Sequence, residues 1–104
     1  MAHVYIPFRP HFKEPMLSGI KTCTARTKAM GKEGDTFTAF GQEFNLITVG
    51  KVQLSTVAAL WKQEGCTSEE HFKEIWRSIH PIKGYIPEQE VYLHHFMMVP
   101  HGSR

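Results

Sequence analysis

Gly19 separates two hydrophobic patterns that cannot belong to one element. Before it, Phe12, Met16 and Leu17 recur at helical spacing. After it, Thr22 to Thr27 is a β-prone run that reads as a strand. A glycine in this place suits the residue after a helix end, where positive φ is common. Lys21, Thr22, Thr24 and Arg26 crowd this hand-over from helix to strand. Such a junction holds side chains on rigid elements and leaves backbone groups free to meet a ligand. The active site is therefore sought here first.

The remaining segments fix the class of fold. His3 to Phe8 is β-branched and aromatic and reads as a first strand, punctuated by Pro7 and Pro10. Pro15 argues for a short helix starting near it, or an irregular turn before it. Lys28 to Asp35 is a glycine-rich charged loop, and Thr36 to Phe40 a strand alternating polar and apolar residues. Gly41-Gln42 reads as a hairpin tip, followed by a long β-rich stretch from Phe44 to Leu54, with a bulge or bend expected near Gly50. Thr56 to Gln63 reads as a short helix. A second helix opens on a Thr67–Glu70 capping box, carries Phe72, Ile75, Trp76 and Ile79 as its apolar stripe, and closes at His80-Pro81. Pro81 to Glu90 is a loop and Val91 to Val99 a last strand. Four or five strands with two or three short helices predict an α+β domain with a small curved or closed sheet.

At 104 residues the chain is read as one domain, 1–104, with a core of about 4–98 and a tail, 99–104, expected to be frayed. Apolar content of 41% and charged content of 21% match an ordinary globule with a modest core. No run approaches the roughly 18–20 apolar residues of a membrane helix, and no signal-peptide pattern opens the chain. A cytoplasmic protein without membrane contact is expected, with Cys23 and Cys66 as reduced, buried or half-buried thiols. The net charge of +2 permits contact with a phosphate or nucleotide but lacks the bias of a nucleic-acid module. The histidines form no metal signature: His94 and His95 are adjacent on a strand and face opposite sides, while His80 and His101 lack ligand spacing. No metal and no organic cofactor is expected.

The run Leu17-Ser18-Gly19-Ile20-Lys21-Thr22-Cys23-Thr24-Ala25-Arg26 resembles the opening signature of ASCH domains. Gly34-Asp35, Glu64-Gly65 followed by a Thr/Ser-Glu-Glu helix, and the aromatic finishing strand Tyr92 to Met98 resemble the same family in the same order. The resemblance spans about Tyr5 to Met98. It implies a PUA-like small β-barrel flanked by two or three short helices, in agreement with the element reading. Within the family, size and motif are most similar to small bacterial amidohydrolases that remove acyl groups from N4-acylated cytidine. The resemblance implies a Lys, a Thr three residues later and a distant Glu as their working residues. The matching positions here are Lys21, Thr24 and Glu64.

Amide hydrolysis needs a nucleophile, a proton acceptor, a donor for the leaving amine and a stabiliser for the oxyanion. Thr24 is expected to attack the acyl carbonyl, Lys21 to accept its proton and Glu64 to donate to the departing cytosine amine. A free lysine amine, with a pKa of about 10.4, is protonated at neutral pH unless burial or nearby cations keep it neutral; Arg26 is a candidate for that cation. Arg26 and Thr22 are expected to contact the substrate. Geometry imposes one condition. In a regular strand Lys21 and Thr24 face opposite ways, so Lys21 must sit in the turn after Gly19, or the strand must be bulged. Trp61, Phe72 and Trp76 are read as core, and Phe8, Tyr5 or Tyr85 as residues that can stack on a pyrimidine.

The leading expectation is a cofactor-free amidohydrolase converting N4-acetylcytidine to cytidine and acetate, its partner a small nucleoside. The alternative is an RNA-binding ASCH/PUA-like module, with ribonuclease activity as an extension supported by the Lys-Thr-Arg-rich groove.

Overall fold

A computed structural model describes residues 1–100. Its centre is a curled antiparallel sheet of four strands in the order β1-β4-β3-β2: β1 Cys23–Arg26, β2 Thr36–Ala39, β3 Gln42–Gln53 and β4 Glu90–Met98. Three helices accompany it, α1 Lys13–Leu17, α2 Leu54–Ala59 and α3 Glu69–Ile79. The expected α+β class with a small curved sheet is the observed one.

The β2–β3 hairpin turns through Phe40 and Gly41, both at positive φ (54° and 77°), the geometry that matches strand twist. Gln42 already pairs with Ala39, so the tip lies one residue earlier than expected. The register of β3 against β4 shifts between Leu46 and Thr48, leaving Ile47 as the extra residue. The bulge is thus at Ile47 and not near Gly50, which keeps an extended place opposite Leu93. Glycine permits a break in a ladder but does not impose one.

β4 is buried on both faces, one at each end. Because neighbours in a strand point oppositely, Val91 and Leu93 pack with Cys23, Leu54, Val57, Phe72 and Trp76 under α2 and α3. Phe96 turns the other way, onto Ile6, Met16, Phe37, Phe44 and Leu46. There the Phe37 and Phe44 rings stack at 5.2 Å, and Phe96 meets both edge-on at 5.4 Å. Each such pair is worth about 0.5–1.5 kcal/mol beyond its buried area.

The expected strand His3 to Phe8 is not formed. His3 makes one parallel bridge to Thr36, after which Ile6 turns into the core and Pro7 offers no N–H to extend a ladder. A 3-10 turn, Pro10–Phe12, precedes α1. Pro15 is the third residue of α1, where an N–H has no partner within the helix. α2 begins earlier than expected, at Leu54, and stops at Ala59. Ser68, not Thr67, caps α3: its hydroxyl accepts from the His71 N–H at 3.0 Å, and His71 Nδ1 accepts from the Thr67 N–H at 3.0 Å. His71 thus takes the position assigned to Glu70, three residues after the true cap, but its ring accepts from the N–H of the residue before the cap. Val99 still donates to the Glu43 carbonyl and accepts from the Gln42 amide; the remainder of the tail, 101–104, lies outside the described residues. No described helix is long and apolar enough to cross a membrane.

Candidate active site

Helix α1 ends against Gly19 at φ 84°. The N–H groups of Ile20 and Lys21 then both return to the Pro15 carbonyl at 2.9 Å. This tight turn keeps Lys21 out of β1, which begins two residues later, so the condition on Lys21 and Thr24 is met. Across from it, the turn after α2 is strapped to β1: the Thr22 and Cys23 N–H groups donate to the Gln63 carbonyl at 2.8 and 3.3 Å. Glu64 follows, and Gly65 at φ 85° closes the turn. A Cβ on Gly65 would stand 2.9 Å from Lys21 Cβ and 3.2 Å from Pro15 Cβ. The close approach that seats Glu64 beside Lys21 therefore requires glycine.

Lys21 is 1% exposed. Its Nζ donates to the Cys23 carbonyl at 2.8 Å, the Glu64 carbonyl at 2.7 Å and Glu64 Oε1 at 3.2 Å, and it lies 4.4 Å from the centre of the Phe12 ring. Three acceptors match the three protons of an ammonium. Burial pushes the Glu64 carboxyl above its ordinary range, opposed by the charge and hydrogen bond of Lys21 and by the Cys23 thiol at 3.6 Å. The Cys23 thiol is itself driven up strongly, by burial first and then by the Glu64 charge; Cys66 is pushed up to about 11, again mainly by burial. Neither is a thiolate nucleophile at neutral pH.

Thr24 faces the same cleft, 5% exposed. Its hydroxyl oxygen accepts from Arg26 Nε at 3.3 Å, while Arg26 Nη2 donates to the Pro7 carbonyl at 2.6 Å and the guanidinium lies 4.9 Å from the Phe8 ring. As acceptor from Arg26, the Thr24 hydroxyl keeps its own proton free to give away.

These groups line one cleft of about 620 Å³ between the N-terminal segment, β1 and α3, within the range of small-molecule sites. Lys21, Thr24, Glu64 and Arg26 all border it; Thr22 does not and serves through its backbone. Of the stacking candidates Phe8 lines the cleft, whereas Tyr5 and Tyr85 do not. Phe72 and Trp76 are core residues that also form its α3 wall, with His80 stacked on Trp76 at 4.2 Å.

One residue behind the site enters the sequence reading only as a histidine without metal-ligand spacing. His94 is fully buried; its Nε2 accepts from the Met30 N–H at 2.9 Å, and its Nδ1 faces the carbonyls of Thr24 at 3.2 Å and Tyr92 at 3.0 Å. Those partners require a neutral ring with its proton on Nδ1. Burial holds its pKa below the ordinary value, opposed by the two carbonyls and reinforced by Arg26. His94 thereby ties Thr24 on β1 to Met30, another residue of the cleft. Strand alternation gives the facing of this histidine but not its depth. Among the described residues, no group of three His, Cys, Asp or Glu side chains is placed to hold a metal ion.

No family model matches the sequence, and no curated protein matches it. Solved structures do. The hypothetical protein PH0355 superposes with a TM-score of 0.70 at 13% identity, over 95% of this chain and 100% of that one. An ASCH domain from Lactobacillus crispatus JV V101 gives 0.63 at 16% identity, over 96% and 80%. EF3133 from Enterococcus faecalis V583, of the DUF984 family, gives 0.61 at 15% identity, over 94% and 78%. The chain thus shares the fold of an ASCH domain, the fold that the opening signature implied.

Proposed function

We propose that this protein is an amidohydrolase that removes the acyl group from N4-acylated cytidine, giving cytidine and a carboxylate such as acetate. The observation that carries this reading is the buried Lys21–Glu64 pair at 3.2 Å, set beside Thr24 in one cleft. Transfer of a proton from the Lys21 ammonium to the Glu64 carboxylate gives at once the neutral amine and the protonated acid that amide cleavage needs. Burial already pushes the Glu64 carboxyl toward its protonated form. The two remaining Lys21 N–H bonds, to the Cys23 and Glu64 carbonyls, keep the amine in place.

In this mechanism Thr24 Oγ1 attacks the acyl carbon as its proton passes to Lys21 Nζ. Arg26, already on Thr24 Oγ1, helps hold the developing oxyanion. The C–N4 bond then breaks, and Glu64 gives its proton to the departing amine. Water hydrolyses the acyl-threonine, with Glu64 taking the proton from water and Lys21 returning its proton to Thr24 Oγ1. The carboxylic acid leaves and releases its proton to solvent. The substrate is a small molecule built on N4-acylated cytidine, and the setting is the cytoplasm, where Cys23 and Cys66 stay free thiols.

The test is incubation of the purified protein with N4-acetylcytidine in EDTA, following cytidine release by chromatography beside Lys21→Ala and Thr24→Ala. Release lost in both variants is expected. No release from the folded wild type would sink the reading.

A further inference from the structure

Charge in the cleft is unbalanced, and it is graded with depth. Four cationic side chains, Arg9, Lys21, Arg26 and Lys28, border it against one carboxylate, Glu64. Lys21 and Glu64 pair with one another at the buried floor, leaving three cations unmatched. Arg26 is half-buried, whereas Arg9 and Lys28 are exposed at the mouth. No ion pair among the described residues involves any of the three: the salt bridges elsewhere join Lys51 to Glu90, Lys73 to Glu69 and Arg77 to Glu70. Arg9 reaches across to α3 with one long hydrogen bond, Nη1 to Ser78 Oγ at 3.4 Å. His11, between the cleft residues Pro10 and Phe12, is held below its ordinary pKa by burial and then by the positive charge of Arg9, His71 and Lys21. Low-dielectric walls around like charges focus a field that draws in anions.

The chemistry of the ligand supplies the direction. In cytidine the ribose is on N1 and the amine on C4, at opposite ends of the pyrimidine ring. A base with its acylated amine at the Lys21–Thr24–Glu64 floor therefore sends its ribose toward the mouth. Resting on the amidohydrolase reading, we propose that the substrate is a 5′-phosphorylated acylcytidine, a mononucleotide whose phosphate is taken by Arg9 and Lys28. Its phosphate carries about −1.5 to −2 charges at neutral pH, which matches the unpaired cations of the rim. A cleft of about 620 Å³ suits one nucleotide rather than a length of strand.

The test compares kcat/KM for N4-acetylcytidine, its 5′-monophosphate and a short oligoribonucleotide containing one N4-acetylcytidine. The monophosphate is expected to lead the nucleoside by roughly tenfold at low salt, with the lead shrinking as salt screens the rim. The ratio is expected to fall toward one in Arg9→Gln/Lys28→Gln. Equal use of nucleoside and monophosphate, a lead that ignores salt, or a preference for the oligoribonucleotide overturns the proposal. Calorimetric binding of cytidine against cytidine 5′-monophosphate needs no turnover. Tighter binding of the monophosphate, lost in the double variant, supports the rim even where no acyl group is released; equal affinity overturns it.

Discussion

Lys21 Nζ stands 3.2 Å from Glu64 Oε1, with the two side chains 1% and 6% exposed, and each is the other's ion-pair partner. Removing one member strands the other, at a cost of about 3–5 kcal/mol for a buried pair. Lys21→Met is expected to lower unfolding free energy by about 3 kcal/mol, and Glu64→Leu by a similar amount. The double variant, apolar on both sides, is expected to regain a large part of that loss while remaining inactive. Urea denaturation of the four proteins closes the cycle. Losses that simply add would show that the pair is not coupled.

Gly65 makes the pair possible, and its replacement tests that directly. An alanine there would carry a Cβ 2.9 Å from Lys21 Cβ at a backbone φ of 85°. Gly65→Ala is expected to cost about 1–3 kcal/mol, and to lower kcat far more than the equally positive-φ Gly84→Ala, where a Cβ meets nothing within 4 Å. Thermal unfolding and turnover of the two variants decide it; equal effects would remove Gly65 from the site.

Local chemistry carried much of this into the sequence. Helical spacing before Gly19 and β residues after it placed Lys21 and Thr24 at the observed junction, and the stripe Phe72–Trp76 located α3. Ladder formation was harder to read. His3 to Phe8 has strand composition but no neighbour beyond Thr36, and partners, not propensity, make a strand. The seating of Glu64 rests on backbone bonds from Thr22 and Cys23 to Gln63, contacts across forty residues that no local pattern encodes. Of the proposed substrate residues, Arg26 borders the cleft and Thr22 does not: Thr22 precedes β1, where strand alternation no longer sets the facing of a side chain.

His94 gives the fold a pH dependence whose sign is fixed. Its folded pKa lies below the ordinary 6.5, so the unfolded chain binds its proton more readily. The stability it contributes is complete above about pH 6.5 and falls as pH drops from there through the folded value. Protonation also sets an N–H against the Met30 N–H, loosening the wall beside Thr24. His11 is shifted the same way, so the wild type is to be compared with His94→Gln. The variant is expected to be less stable at pH 7.5, with a shallower decline between pH 6.5 and 5 in urea titrations. An unchanged slope would assign the decline to other groups.

Arg26 is where lysine and arginine must differ. Its guanidinium spans Thr24 Oγ1 and the Pro7 carbonyl, at 3.3 and 2.6 Å, while lying over Phe8. A lysine keeps the charge but has no planar fork with which to hold both oxygens from one orientation. Arg26→Lys is expected to fold with a loss near 1 kcal/mol, typical of one hydrogen bond. Its kcat is expected to fall by at least tenfold, because Thr24 loses its fixed donor and the oxyanion its nearest cation. Steady-state kinetics beside thermal unfolding separate the two effects. A variant with wild-type kcat and a raised KM would make Arg26 a binding residue alone and leave oxyanion stabilisation to other groups of the cleft.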